Sequence, residues 1–395
     1  MRIILYPEWL IDGTGAEALT SQAVVIENGR VEAIAPASTI SAGDNDQVVS
    51  LPNATLLPGL INNHVHLNLP GDNTPFWNVN QETDVNLALR SVHNAQVSLR
   101  AGVTTVRDCG ARGTIAIELR EAQAKALVEG ARIIAGGWPL TISGGHLRNF
   151  GGEADGEDAL RRMVRREVSA GVDFVKVMAS GGGTPGSLPH YPSFSVAELR
   201  AIVETSHALG KRVVAHCTCT AAIENAVTAQ VDFIEHAMFN APTQQAIYDP
   251  RVAELLAKSG IAVTPTLQVF RDLVDLLPDS PERSSWQVRN EAHENVVRNL
   301  HALGVPLLAG SDAGWRATAF DTFWKELDEL VVCGLAPVQA IGAATGAISK
   351  AWGYDQFGTI QVGRTADLVV VAGDVARDIK RLARVQAVFQ AGVKV

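Results

Sequence analysis

"SVAELRAIVETSHALGKRVVAHC" runs from Ser195 to Cys217, and its two halves follow different periods. The first half is amphipathic at helical spacing and opens on Ser195 with Glu198 three residues on, the pattern of a capped helix start. The second half, "RVVAHC", is a short Val-rich run of strand type that ends on a histidine. The same helix-then-strand order recurs in "DALRRMVRREVSAG" followed by "VDFVKVM" (158–178). Further short apolar runs are "LINNHVHL", "VTTVRD", "RIIAGG", "VDFIEHA", "IAVTPT" and "VPLLAGSD". Eight strands alternating with helices predict an α/β chain built on a (β/α)8 (TIM) barrel over residues 58–353.

The two ends of the chain read differently. "AVVIENGRVEAIAP" is a hairpin pattern with Asn28-Gly29 between Val/Ile-rich runs, and "FGTIQVGRTADLVVVAG" alternates apolar runs with Gly turns. Neither end is long enough to build a sandwich alone, so residues 1–57 and 354–395 are expected to pair into one small β-sandwich domain.

Bulk properties narrow the function. The chain has 395 residues, is 47% hydrophobic and carries a formal charge of −9, with no basic block, which argues against nucleic acid and anionic membranes as partners. No stretch reaches the ~18 apolar residues of a membrane span. The N-terminus lacks a signal-peptide pattern, and Cys109, Cys217, Cys219 and Cys333 are too few for a disulfide framework. These features predict a cytoplasmic, reducing setting, leave a small-molecule substrate as the expected partner, and permit a homo-oligomer.

Catalytic groups of such a barrel sit at the C-terminal ends of its strands. His64 and His66 lie on alternate positions of one strand and so point the same way, a pincer for a metal ion. Lys176, His216, His236 and Asp312 end other runs and would converge on the same mouth. Lys176 stands among Val175, Val177, Phe174 and Met178, where a bare ammonium is costly to desolvate. It could pair with Asp312, act as a Schiff-base amine, or be carboxylated by CO2. Four histidines and an aspartate are more than an aldolase needs and about what two metals need, which favours the carbamate as an anionic bridge. Cys217 and Cys219 lack the further partners of a separate zinc site and read as small buried residues.

Together "PGLINNHVH", "VKVMASGG", "VVAHC", "FIEHA", "AGSDAG" and the tail "FGTIQVGRTADLVVV" resemble the metal-dependent amidohydrolase superfamily across nearly the whole chain. Within it, "GGH" (144–146) and "FGGEADG" (150–156) resemble the imidazolonepropionase-like branch that includes Xaa-Pro dipeptidases and Xaa-Arg or Xaa-Lys carboxypeptidases. The resemblance implies two divalent ions, zinc by default with manganese or cobalt possible. His64, His66 and Asp312 would hold one, His216 and His236 the other, and carboxylated Lys176 would bridge them beside a hydroxide. That hydroxide would attack an amide-type carbonyl while Asp312 shuttles the proton to the leaving nitrogen. Candidate substrates are an N-acyl amino acid, a dipeptide, or an aryl amide, carbamate or urea. The alternative is a mononuclear deaminase or cyclic amide or amidine hydrolase of the same superfamily, which lacks the lysine.

Beyond the ligands, His146 is expected to hydrogen-bond the oxyanion, and His190, Tyr191 and Thr218 to contact substrate. Thr218 departs from the Tyr or His of related dipeptidases, which leaves room for a non-peptide substrate. Trp77, Trp286 and Trp315 suggest an apolar or aromatic substrate. Arg107 and Asp108 read as a structural ion pair, and His93, His207, His293 and His301 as helix residues without a role.

Overall fold

The computed structural model describes residues 2–243 and 246–395, without the side chains of residues 76 and 77. The predicted side chain of Trp77 therefore lies outside the described residues.

The ends of the chain do pair. Strand Leu368–Ala372 runs antiparallel to Gln47–Pro58, with Leu368 opposite Pro58 and Ala372 opposite Ala54. Ile3–Leu10 lies parallel on the other side of Gln47–Pro58. Gln22–Glu27 and Arg30–Pro36 extend the sheet, joined through Asn28 and Gly29, both at positive φ as the tight hairpin requires. Val385–Gln390 and Val393–Lys394 complete the opposite edge. The result is one continuous eight-stranded mixed sheet rather than two separately bonded ones. Its packed face carries Leu5, Val24, Ile26, Leu56, Leu368, Val370 and Phe389.

The intervening chain alternates strands and helices. Leu60–Val65, Val103–Asp108 and Arg132–Ala135 form one parallel sheet in chain order. Val175–Met178, Val213–Cys219, Phe233–Asn240 and Ala262–Thr264 form a second. Single parallel bridges link the two, at Leu140 with Val177, Val263 with Leu307, and Val65 with Ala313. Helices such as Asp84–Arg100, Val196–Ala208 and Pro250–Ser259 pack outside, and their buried faces join one large core. Ser195 and Glu198 make the expected reciprocal cap.

The run 305–312 bridges as a strand would only at Leu307. Its backbone still bonds both neighbours, Leu308 to Val263 and Asp312 to His64. Between those points the Asn62 side chain also bonds the run, accepting from the Ser311 N–H at 3.0 Å and donating to Ser311 Oγ at 2.7 Å. These side-chain bonds add to backbone bonds from the Asn63 N–H to the Ala309 carbonyl at 3.0 Å and from the His66 N–H to the Ala313 carbonyl at 2.8 Å, where the eighth strand was expected. No described helix is long and apolar enough to cross a membrane.

Candidate active site

Alternation along Leu60–Val65 sends Val65 into the core and turns His64 and His66 to the same side, where their rings lie 5.3 Å apart. Further rings continue the row: His64 to His236 at 5.1 Å, His236 to His216 at 4.5 Å, and His216 to His146 at 4.9 Å. These histidines, Lys176 and Asp312 line a single cavity. His236 and Asp312 hold positive φ, 71° and 58°, although neither is glycine. Strain of this kind persists where a surrounding structure fixes it, and it clusters at functional sites. At His236 it breaks the alternation of the strand. Glu235 is in register with His216, while His236 is in register with Cys217, yet both Glu235 and His236 reach the site.

Hydrogen-bond partners fix which ring nitrogen is available. His64 Nδ1–H donates to Glu235 Oε2 at 2.7 Å and His66 Nδ1–H to the Gly110 carbonyl at 2.8 Å, so each presents an Nε2 lone pair. Thr266 donates to the Pro265 carbonyl, which leaves its oxygen to accept from His236 Nδ1–H at 2.7 Å and frees His236 Nε2. His216 differs: its Nε2–H donates to the Gly181 carbonyl at 3.1 Å, leaving Nδ1 as the ligand atom. Burial pushes His64 down to about 4 and His216 to about 3, and it lowers His236 as well. All three are neutral at pH 7, as metal ligation requires.

The donor set fits divalent metal. Asp312 Oδ1 has no hydrogen-bond partner and lies 3.4 Å from His64 Nε2 and 3.3 Å from His66 Nε2. Three lone-pair-bearing atoms face one another, an arrangement that needs a cation between them. Ligand atoms of His64, His236 and Asp312 lie within 4.8 Å of one another. Lys176 is fully buried, and its Nζ has neither a hydrogen-bond partner nor a carboxylate in ion-pair reach among the described residues. The simple Lys176–Asp312 ion pair is therefore not present.

His146 Nδ1 accepts from the Thr184 N–H at 3.3 Å and meets Thr184 Oγ1 at 2.8 Å, which leaves the hydrogen on Nε2. Two glycines make room around it. A Cβ at Gly182 would meet His146 Cδ2 at 2.5 Å, and one at Gly183 would meet the Trp315 ring at 2.3 Å. His190 lines the cavity; Tyr191 is half exposed and outside the described lining. Thr218 lines it too, but its hydroxyl bonds the Pro189 carbonyl at 2.7 Å and so ties down a loop. Trp286 and Trp315 both stand in the wall, among Leu69, Met178, Val269, Phe270 and Leu273.

Two expectations are corrected. Arg107 does not pair with Asp108: its Nη2 contacts Glu235 Oε1 at 3.1 Å, and Asp108 instead accepts from the Leu67 and Gly110 N–H groups. Consecutive strand residues point to opposite faces, so neighbours in sequence are poorly placed to pair. His293 is no idle helix residue. It is buried in the cavity wall, and its Nε2–H donates to the His236 carbonyl at 2.8 Å. Glu235 was not singled out by the sequence, although its place beside His236 was a usable signal. Cys217 and Cys219 are buried free thiols, as expected.

Comparison with known proteins gives the same direction. The amidohydrolase family model matches residues 55–395. Ochratoxinase of Aspergillus niger is 25% identical over 414 residues, covering 95% of this chain and 82% of the relative. Imidazolonepropionase of Symbiobacterium thermophilum is 22% identical over 392 residues, covering 90% of this chain and 85% of the relative. The crystal structure of a Xaa-Pro dipeptidase with methionine bound in its active site superposes with a TM-score of 0.89 at 26% identity, covering 100% of both chains.

Proposed function

The chain belongs to the amidohydrolase family and is a hydrolase of carbon–nitrogen bonds; from that premise we propose that it is a binuclear metalloenzyme cleaving an amide-type bond of a small molecule. The carrying observation is Lys176, a buried amine with no partner among the described residues, in a cavity lined by His64, His66, His216, His236 and the Asp312 carboxylate. A carboxylated Lys176 is an anion that two cations can share, which removes the cost of the orphaned ammonium.

His64, His66 and Asp312 would hold one divalent ion, zinc by default, and His216 through Nδ1 with His236 through Nε2 the other. Bound there, such ions supply a hydroxide at neutral pH and polarise the scissile carbonyl. The remaining steps belong to the chain itself. Asp312 would take the proton that the oxygen nucleophile gives up on attack, on a carboxylate oxygen, and return it to the leaving nitrogen. His146 donates its Nε2–H to the developing oxyanion. Glu235 and the Gly110 carbonyl keep His64 and His66 in the ligating tautomer. Phe270, Trp286 and Trp315 exclude water from an apolar substrate body.

We read the two bridged parallel sheets as one closed (β/α)8 barrel over 58–353 and the terminal sheet with its apolar face as the small β-sandwich domain of 1–57 and 354–395. Free buried thiols suit a reducing cytoplasm. A relative named as a Xaa-Pro dipeptidase supports a peptide-like amide. The cluster of His64, His236 and Asp312 favours a second reading, a mononuclear hydrolase or deaminase.

Metal analysis of the purified protein, with a hydrolysis screen spanning dipeptides, N-acyl amino acids, aryl amides, carbamates and phenylureas, tests both. Near two metals per chain and loss of turnover in Lys176→Ala are expected. One metal per chain with full activity in that variant selects the mononuclear reading.

A further inference from the structure

At one wall of the catalytic cavity two guanidinium groups flank a single indole. Arg289 lies 5.0 Å from the Trp286 ring and Arg316 5.5 Å from it. All three residues line the cavity. Trp286 and Arg289 share helix Pro281–Ala302, while Arg316 follows Trp315 in the loop after Asp312. Arg316 takes a positive φ of 44°, so its backbone is held in a conformation that its side chain disfavours. The Trp315 ring stands edge-on to His146, 6.1 Å away, which links this wall to the row of histidines.

Neither guanidinium has a hydrogen bond or an ion pair with a carboxylate among the described residues. Glu282 attracts Arg316 only from beyond ion-pair distance, while burial lowers the Arg316 pKa. The wall helix nearby shows the contrast. There Arg271, on Gln268–Leu276, is neutralised by Asp328 at 2.7 Å and Glu329 at 2.8 Å. Arg316 is half-buried and Arg289 exposed at the cavity's edge, and two planar donors left without acceptors beside an apolar wall match a carboxylate bidentately.

We propose that Arg289 and Arg316, spaced by Trp286, form a carboxylate-binding subsite of the catalytic cavity. The inference rests on the amide-hydrolase reading and narrows it. The favoured substrate carries an anionic carboxylate beside an apolar or aromatic group, as an N-acylated aromatic amino acid does. Neutral carbamates and phenylureas leave both arginines unanswered. Arg289 and Arg316 hold no metal and take no part in bond cleavage, so their loss acts on affinity.

Calorimetric titration of the metal-loaded protein with N-acetyl-L-phenylalanine and with its uncharged carboxamide reads the subsite without relying on turnover. The acid is expected to bind at least about tenfold more tightly than the carboxamide. In the Arg289→Met/Arg316→Met variant that preference should vanish with metal content unchanged. Equal binding of the two compounds, no binding of the acid, or a preference that survives in the variant overturns the proposal. Should the variant not fold, the wild-type comparison decides alone. A retained acid preference without hydrolysis of any amide would sink the catalytic reading and leave the subsite standing. Turnover with equal affinity for acid and carboxamide would do the reverse.

Discussion

Glu235 accepts a 2.7 Å hydrogen bond from His64, and neither side chain meets solvent. Burial pushes the Glu235 carboxyl up, but His64, the ammonium of Lys176 before carboxylation and Arg107 together hold it down to about 2. It is therefore a permanent acceptor that pins His64 in the tautomer with Nε2 bare. Glu235→Gln keeps the shape and removes the charge, and an amide nitrogen turned toward Nδ1 would move the hydrogen onto Nε2. Metal affinity should fall about 10- to 100-fold, the usual effect of losing such a support. Competition against a chelator measures it, and an unchanged affinity would show that Glu235 does not orient the ligand.

Behind Glu235 stands Arg107, fully buried, with its guanidinium 4.6 Å from the Phe174 ring and 4.2 Å from the Trp352 ring. Two of its nitrogens have no hydrogen-bond partner, so the rings take the place of acceptors. Arg107→Met strands a buried carboxylate and should cost about 3–5 kcal/mol of stability in chemical denaturation. Arg107→Lys should recover little, because an ammonium does not stack flat between two rings. Recovery by lysine to near wild type would mean that charge alone matters there.

These two residues show where sequence reading stops. Period 2 made His64 and His66 legible as a pair, and it also set Lys176 beside Met178 in the cavity wall. The same rule hid Glu235, because a positive φ at His236 lets two adjacent residues reach one site. Arg107 finds its partner 128 residues away, a pairing that no local pattern encodes. His293 lies on a long polar helix whose inner face becomes cavity wall only through packing. The eighth run was found as an apolar segment, but the Asn62 side chain shares in bonding it at Ser311, which composition does not reveal.

Gly182 gives His146 its place. An alanine Cβ there would press on the imidazole at 2.5 Å, and the ring would have to move from its Thr184 contacts. If His146 serves the oxyanion, Gly182→Ala should lower kcat by about 10²–10³-fold, the size of losing one such donor, with metal content intact. The double variant with His146→Ala should be scarcely worse than either single one, since both remove the same interaction. Steady-state kinetics on the four proteins give the answer, and additive losses would place Gly182 in some other role.

Glu326 controls a different part of the same wall. Helix Gln268–Leu276 starts after Leu267, which offers no side-chain cap, and Glu326 Oε2 accepts the orphan Gln268 N–H at 2.7 Å instead. That helix carries Val269, Phe270 and Leu273 into the cavity wall. Glu326 is fully buried and its other oxygen has no partner, so burial pushes its pKa from 4.5 to about 8. Between those values the native protein keeps a proton that the unfolded chain releases. Stability then falls as pH rises, by up to ~1.4 kcal/mol per pH unit, and is fully present only below 4.5. Glu326→Gln preserves an oxygen for the Gln268 N–H and removes the titration. Relative to wild type, the variant should gain stability steadily from pH 5 to pH 8 and no further beyond. Urea midpoints of both proteins at pH 5, 7 and 9, at one fixed zinc concentration, test this, because the metal contribution cancels in the difference. A difference that does not change with pH would mean that Glu326 is ionised in the native protein and that the helix start is held by a buried anion.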